Sequence, residues 1–199
     1  MSGRAVTIVN VGYRSTNYYV ISAGTSRLLV DLGWPGMLGA LAASLERKGI
    51  PIAEIRHGFA THYHIDHAGL VQELKRHGMT LVLTPEQIPF VPLIKPYTKP
   101  QDHFVDIRVD DNRTKIVTLA DSRAFLGSIG IAGELVHTPG HSDDSVSLLL
   151  DDGSVFTGDL THPALVEEKD IEVVTRSWQM LRDKGAVTVY AGHGPARAL

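Results

Sequence analysis

The densest concentration of ligand chemistry in the chain is Thr61-His62-Tyr63-His64-Ile65-Asp66-His67, three histidines and one aspartate within six positions, directly after the apolar run Gly58-Phe59-Ala60. Imidazole nitrogens and carboxylate oxygens together suit divalent cations such as zinc, iron or manganese. In an extended segment successive side chains alternate, so His62, His64 and Asp66 would face one cavity while Tyr63 and Ile65 face the protein. His67 would then open a helical pattern, Ala68-Gly69-Leu70-Val71-Gln72-Glu73-Leu74, with Leu70, Val71 and Leu74 on one face, and reach a second position beside the first. The spacing therefore predicts two adjacent cation positions.

Four other stretches share one form, in which a strand-like run ends in a turn bearing a ligand: Leu29-Val30-Asp31-Leu32-Gly33, Thr138-Pro139-Gly140-His141, Phe156-Thr157-Gly158-Asp159 and Tyr190-Ala191-Gly192-His193-Gly194-Pro195. Glycine beside each ligand permits tight turns and close backbone approach. With the first cluster they supply five histidines and up to three aspartates. His57, His77, His103 and His137 lack such a context and read as structural or solvated.

The elements that must position these groups are legible from periodicity. Val6 to Val11, Tyr18 to Ile21 and Arg27 to Asp31 are β-branched or aromatic runs broken by turn residues around 12–17 and at Ala23-Gly24-Thr25, the pattern of an antiparallel meander. A helix follows from Met37 to Lys48, striped by Leu38, Leu41, Ala42 and Leu45 and closed by Gly49. Ile55 to Ala60 is a strand that delivers the histidine cluster, and the next helix stops at His77-Gly78. Further strands are expected at 81–83, 107–109, 115–119, 134–138, 146–150 and 155–157, with Asp151-Asp152-Gly153 turning a hairpin. An amphipathic helix from Glu167 to Lys184 carries Ile171, Val174, Trp178 and Leu181 before a last strand, Thr188 to Ala191. Residues 85–106 contain five prolines and no period, the mark of a binding loop or a surface excursion. Strands dominate each half with helices interposed, which suggests two packed sheets covered by helices.

With 199 residues the chain is expected to form one domain, 1–199. A formal charge of −3 argues against nucleic acid or an anionic membrane as partner and leaves a small-molecule substrate, with a homo-oligomer open. The absence of cysteine excludes disulfides and thiolate ligation, so any metal is held by nitrogen and oxygen. No apolar run is long enough to span a bilayer and the N-terminus has no leader pattern, so the expectation is a soluble, cytoplasmic protein.

The ordered set His62-x-His64-x-Asp66-His67, His141 in Thr-Pro-Gly-His, Asp159 in Thr-Gly-Asp and His193 in Gly-His-Gly-Pro resembles the metallo-β-lactamase-fold hydrolases across nearly the whole chain. That resemblance implies an α/β architecture, an αββα sandwich of two mixed sheets with helices on the outer faces and the site at one edge. It implies two divalent metal ions, zinc first with iron and manganese as alternatives: one held by His62, His64 and His141, the second by Asp66, His67 and His193, with Asp159 bridging. Asp31 would orient ligands from behind, and Asp66 would double as the catalytic group that positions the nucleophile or passes a proton. Two cations about 3.5–4 Å apart can supply a bridging hydroxide near neutral pH and polarise the electrophile. Leu32 and Ile65 depart from the family's common threonine and proline, but neither is a ligand.

The implied reaction is hydrolysis of a small ester, thioester, lactone or phosphoester, with a mononuclear iron persulfide dioxygenase as the alternative. Fold and metal motif do not name the substrate. Only six residues follow His193, which argues against the substrate-binding extension of glyoxalase II. Substrate contacts are expected from the loops carrying Tyr13, Trp34, Lys95, Tyr97, Lys99 and His162.

Overall fold

The structure, a computed structural model, describes residues 6–23 and 26–199. Strands β1 (Thr7–Asn10), β2 (Tyr19–Ala23) and β3 (Ser26–Val30) form an antiparallel meander with Asn10 opposite Tyr19 and Tyr19 opposite Val30. The turn expected at Ala23-Gly24-Thr25 lies outside the described residues. Helix α1 (Leu38–Arg47) carries the chain to β4 (Ile55–Phe59), and α2 (Ile65–Ala68) with α3 (Val71–Arg76) carries it to β5 (Thr80–Leu83). β3, β4, β5 and β6 (Thr114–Ile116) run parallel, giving a mixed sheet in sequential order.

Helix α4 (Leu119–Ser128) crosses to the second sheet, which comprises β7 (Gly133–His137), β8 (Val146–Leu150), β9 (Ser154–Gly158), β10 (Thr188–Ala191) and β11 (Arg197–Ala198) in the order β11-β10-β9-β8-β7. Only β9 and β10 pair in parallel, because α5 (Ile171–Asp183) forms the crossover between them.

Three apolar layers hold these elements. Leu41, Leu45, Leu70, Val71 and Leu74 of the first helices close on Val20, Leu29 and Leu81. Ile21, Leu28, Val30, Phe59 and Val82 meet Leu148, Leu150 and Phe156 between the sheets. Val174, Trp178 and Leu181 of α5 cover Val136, Leu149, Val155 and Val189. Helix, sheet, sheet and helix are thus stacked in an αββα sandwich, and β8 and β9 are buried on both faces, which is why they read as continuous apolar runs.

The structure departs from the sequence expectations at four places. Residues 107–109 form no strand; Arg108 instead donates its backbone N–H to Gln72 Oε1 at 2.9 Å. The run Lys115 to Leu119 yields only the short edge strand β6, and α4 begins where it was expected to end. The one local signal for α4 is the Thr118-x-x-Asp121 cap, in which Thr118 Oγ1 accepts from Asp121 N at 3.1 Å; its burial, limited to Ser122 and Leu126, is too sparse to write a stripe. Residues 88–97 and 100–102 of the proline-rich segment are 3-10 turns anchored by Val91 and Ile94. Finally, helix α2 begins at Ile65 with His64 at its N-cap, so Asp66 and His67 leave a helical turn and only His62 to His64 stay non-helical.

Candidate metal centre

The candidate ligands leave the C-terminal ends of five strands: Asp31 after β3, His62 to His67 after β4, His141 after β7, Asp159 after β9 and His193 after β10. Strand ends of α/β sheets are the usual place for such sites, because the loops there are free to differ while the sheets hold their roots. The first and second sheets are tied together at this edge. Val146 N donates to Thr61 O at 2.8 Å, Tyr63 N to Asp144 Oδ2 at 2.7 Å and Asn17 N to Gly192 O at 2.7 Å. Buried Gln87, from the proline-rich segment, donates to Ala60 O at 2.8 Å and fixes the backbone just before His62.

Two glycines make the approach possible. Gly158 has φ of 53°, a left-handed conformation, and a Cβ there would collide with the Thr61 side chain. A Cβ on Gly192 would collide with Asp159 Oδ1 and crowd His67 Cε1.

Three overlapping groups result, each with its donor atoms within 4.8 Å of one another: His62 with His64 and His141, His62 with His67 and Asp159, and Asp66 with His67 and His193. Asp159 connects them. Its Oδ1 is 3.3 Å from His67 Nε2, and its Oδ2 is 3.3 Å from His193 Nε2 and 3.8 Å from His141 Nε2. Asp66 Oδ2 lies 3.4 Å from His67 Nε2 and 3.3 Å from His193 Nε2. His141 Nε2 and His64 Nδ1 are 3.0 Å apart.

The outer partners decide which imidazole nitrogens are bare. Thr61 Oγ1 spends its proton on Asp31 Oδ1 at 2.9 Å, so toward His62 Nδ1, 3.1 Å away, it can only accept. His193 Nδ1 donates to Ser15 O at 2.6 Å. His67 Nδ1 lies 3.0 Å from Asp31 Oδ2, an ion-pair distance off the hydrogen-bonding direction, and the carboxylate holds the proton on that nitrogen. In all three rings the lone pair of Nε2 is therefore turned inward, and His62 Nε2, His67 Nε2 and Asp159 Oδ1 are buried without hydrogen-bond partners. Converging acceptors of this kind repel one another unless cations lie among them, so the donor set fits divalent metal of the nitrogen- and oxygen-preferring kind.

The electrostatics show a demand for positive charge at this point, which either a second proton on His67 or a cation would meet. Burial works against charge on His67, but Asp31, Asp159 and Asp66 outweigh it and push its pKa well above the usual imidazole value. Burial and the neighbouring imidazoles hold His62 well below it. Burial favours protonation of Asp66 and Asp159 as well, yet hydrogen bonding and charge from His67 hold both below the usual carboxylate range. Asp31, with φ of 60° and 2% exposure, is a non-glycine residue in the left-handed region, a strain found where the surroundings over-determine a functional position.

The other expected residues divide. His162 lines the same cleft of about 360 Å³ as His141, Asp159 and His193. Tyr13 and Trp34 support the site from behind: Tyr13 Oη accepts from Trp34 N at 3.2 Å, and Trp34 Nε1 donates at 3.3 Å to Thr16 Oγ1, the partner of Asp66. Burial pushes the Tyr13 hydroxyl up to about 12, so it stays protonated. Lys95 and Lys99 line a different cleft with Arg76 and His103, Lys95 is paired with Asp106 at 2.6 Å, and Tyr97 is 75% exposed. A concavity of about 990 Å³ runs along the outer face of α5 and contains none of the clustered imidazoles or carboxylates. Sequence reasoning missed Thr16, Thr61, Gln87, Asp144 and Arg197; the first four are buried polar residues in loops, a signal that only partners reveal.

The chain matches the family model of the metallo-beta-lactamase superfamily over residues 11–193 and belongs to that family. It is 28% identical over 190 residues to an atrochrysone carboxyl ACP thioesterase of Claviceps purpurea, covering 92% of this chain and 52% of that protein. It is 26% identical over 184 residues to a beta-lactamase-like protein 2 homolog of Caenorhabditis elegans, covering 92% of this chain and 57% of that one. The chain thus spans little more than half the length of these curated relatives. Among solved structures, the FEZ-1 metallo-beta-lactamase of Legionella gormanii superposes with a TM-score of 0.72 at 18% identity, covering 96% of this chain and 78% of that one. A metallo-beta-lactamase family protein of Thermus thermophilus gives 0.69 at 22% identity, covering 100% and 75%. These likenesses concern the fold. No helix among the described residues is long and apolar enough to cross a membrane.

Proposed function

We propose that this chain is a metal-dependent hydrolase that holds two divalent cations, zinc in the first instance, and cleaves a small thioester or ester. The observation that carries the reading is the inward convergence of three bare Nε2 lone pairs, on His62, His67 and His193, with the carboxylates of Asp66 and Asp159. His62, His64 and His141 would hold one cation, Asp66, His67 and His193 the other, and Asp159 both. Cations at these positions would bring a water to its hydrolytic form near neutral pH and polarise a carbonyl. The names of the thioesterase relatives support a thioester ahead of the lactone and phosphoester alternatives.

Within that reading the residues of the chain have distinct tasks. Asp31 and Ser15 fix the tautomers of His67 and His193, and Thr61 that of His62, so that every Nε2 is presented as a donor pair. Asp66, whose Oδ2 lies 3.3 Å from His193 Nε2, would take up a proton from the attacking water and pass it to the departing thiol or alcohol. Thr16 fixes the oxygen Oδ2 of that carboxylate.

The test is metal analysis of protein purified without added metal, joined to a screen of thioesters, esters, lactones and phosphoesters before and after chelation. Two zinc ions per chain and chelator-sensitive thioester turnover are expected. One iron per chain with oxygen uptake on a persulfide would replace the hydrolase with the dioxygenase, and full turnover after stripping would overturn both.

A further inference from the structure

Arg197 of β11 shares with Arg14 a seat on an indole ring and no carboxylate partner among the described residues, and it differs from Arg14 in lining the cleft of the clustered histidines. Arg27, Arg108, Arg123 and Arg176 each pair with a carboxylate. Arg197 is partly buried, its Cζ 5.2 Å over the Trp178 ring, and no carboxylate among the described residues pairs with it; Nη1 makes only a 3.5 Å bond to the neighbouring Ala198 O. The stack orients the group without neutralising it, because a ring face attracts the cation but leaves its in-plane N–H fork free. Trp178 is itself fixed, 1% exposed and donating Nε1 to Thr161 O at 2.8 Å.

The place of this fork matters. Arg197 lines the cleft that also contains His141, Asp159 and His193. His162, on the same cleft, accepts at Nδ1 from Ala164 N at 3.1 Å, which puts the ring proton on Nε2 and makes that atom a donor. Leu165, 78% exposed, adds an apolar surface beside them. A free guanidinium, a second donor and an apolar side chain around one cleft match an acyl chain that ends in an anion, since a planar fork binds carboxylate or phosphate oxygens bidentately.

We propose that Arg197, with His162, is an anion-holding subsite, and that the substrate carries a carboxylate or phosphate away from the bond that is cleaved. The substrate part of this proposal rests on the hydrolase reading; the anion site does not.

The experiment compares two thioesters of equal length, one with a terminal carboxylate (succinyl) and one with a methyl (butyryl), and a third whose thiol half carries a phosphate. The wild type is expected to favour an anionic member by about tenfold or more in kcat/KM, and whichever arm shows the preference identifies the group. In R197Q that preference should collapse, through KM rather than kcat, and R197K should keep part of it. An unchanged preference in R197Q, or none in the wild type, overturns the proposal. If the wild type cleaves nothing, the hydrolase reading fails by itself. The subsite is then decided by NMR titration with succinate and inorganic phosphate: binding that weakens about tenfold in R197Q upholds it, and binding indifferent to Arg197 overturns it.

Discussion

Thr16 Oγ1 donates to Asp66 Oδ2 at 3.0 Å across 50 residues of sequence, and in doing so fixes one oxygen of the carboxylate that also faces His67 and His193. Thr16 is 2% exposed and accepts in turn from Trp34 Nε1. A partner of this kind orients a ligand it does not replace. Thr16→Val keeps the volume and removes the donor, so the metal affinity of the Asp66 group should fall about 10–100-fold while the fold survives. Metal content after dialysis, read with the circular dichroism spectrum, checks this; wild-type metal content would mean that Asp66 is oriented without Thr16.

The sandwich and the clustering of histidines and aspartates at the strand ends were legible in the sequence for different reasons. Strands such as 146–150 and 155–157 are buried on both faces and write an unbroken apolar run, and the stripe Val174, Trp178, Leu181 has helical spacing. The ligands stand out because histidine and aspartate follow each strand beside glycine. What stayed hidden is whatever depends on a partner distant in sequence. Thr16 is unremarked until Asp66 is opposite it, and Arg197 until Trp178 is beneath it. The alternating reading of His62, His64 and Asp66, with a helix opening at His67, set the start of α2 two residues late, because the helical turn is fixed by a backbone bond, His64 O accepting from Ala68 N at 2.9 Å, that side-chain types do not announce. Lys95, Tyr97 and Lys99 were expected near a substrate because they lie in the irregular proline-rich loop, and irregularity carries no direction.

Gly192→Ala should separate the metal centre from the fold. The added Cβ has nowhere to go but into Asp159 Oδ1 and His67 Cε1, both of them parts of the ligand cluster. Expected is a protein that retains its sheets yet loses most of its metal, and whose melting temperature no longer responds to chelator. In the wild type, stripping a cation present at about 1,000 times its Kd should cost about 4 kcal/mol, or roughly 8–16 °C, for each site emptied. A G192A protein with full metal and the wild-type chelator shift would show that the cluster can move aside.

Glu134 gives a pH dependence away from the metal. Its Oε1 is 3.2 Å from Arg123 Nη2 and its Oε2 is 3.0 Å from Lys184 Nζ, tying α4, β7 and the end of α5 together. Partial burial raises its pKa, but Lys184 and Arg123 outweigh this and hold it below its ordinary 4.5. A lowered carboxylate pKa contributes stability that is present above 4.5 and lost as pH falls through the folded value. Glu134→Gln, compared with wild type in urea after both are stripped of metal, should therefore be less stable at pH 7 and indistinguishable once the pH is well below 4.5. A gap that persists in acid would assign the loss to packing rather than charge.

Trp178 joins the third apolar layer to the cleft, since the same ring packs with Val174 and Leu181 of α5, donates to Thr161 O and lies under Arg197. Removing it should act on two levels that a smaller change can divide. Trp178→Ala opens a cavity in a site 1% exposed and should cost about 3–5 kcal/mol, seen as a lower urea midpoint at constant slope. Trp178→Phe keeps much of the buried area but gives up the N–H and the stronger cation-binding face, so its stability cost should be nearer 1 kcal/mol. Because Arg197 then has a weaker seat, the phenylalanine variant should lose more of the anionic-over-neutral substrate preference than of its stability. A phenylalanine variant as unstable as the alanine one would place the Thr161 hydrogen bond, rather than the packed ring, at the centre of this layer.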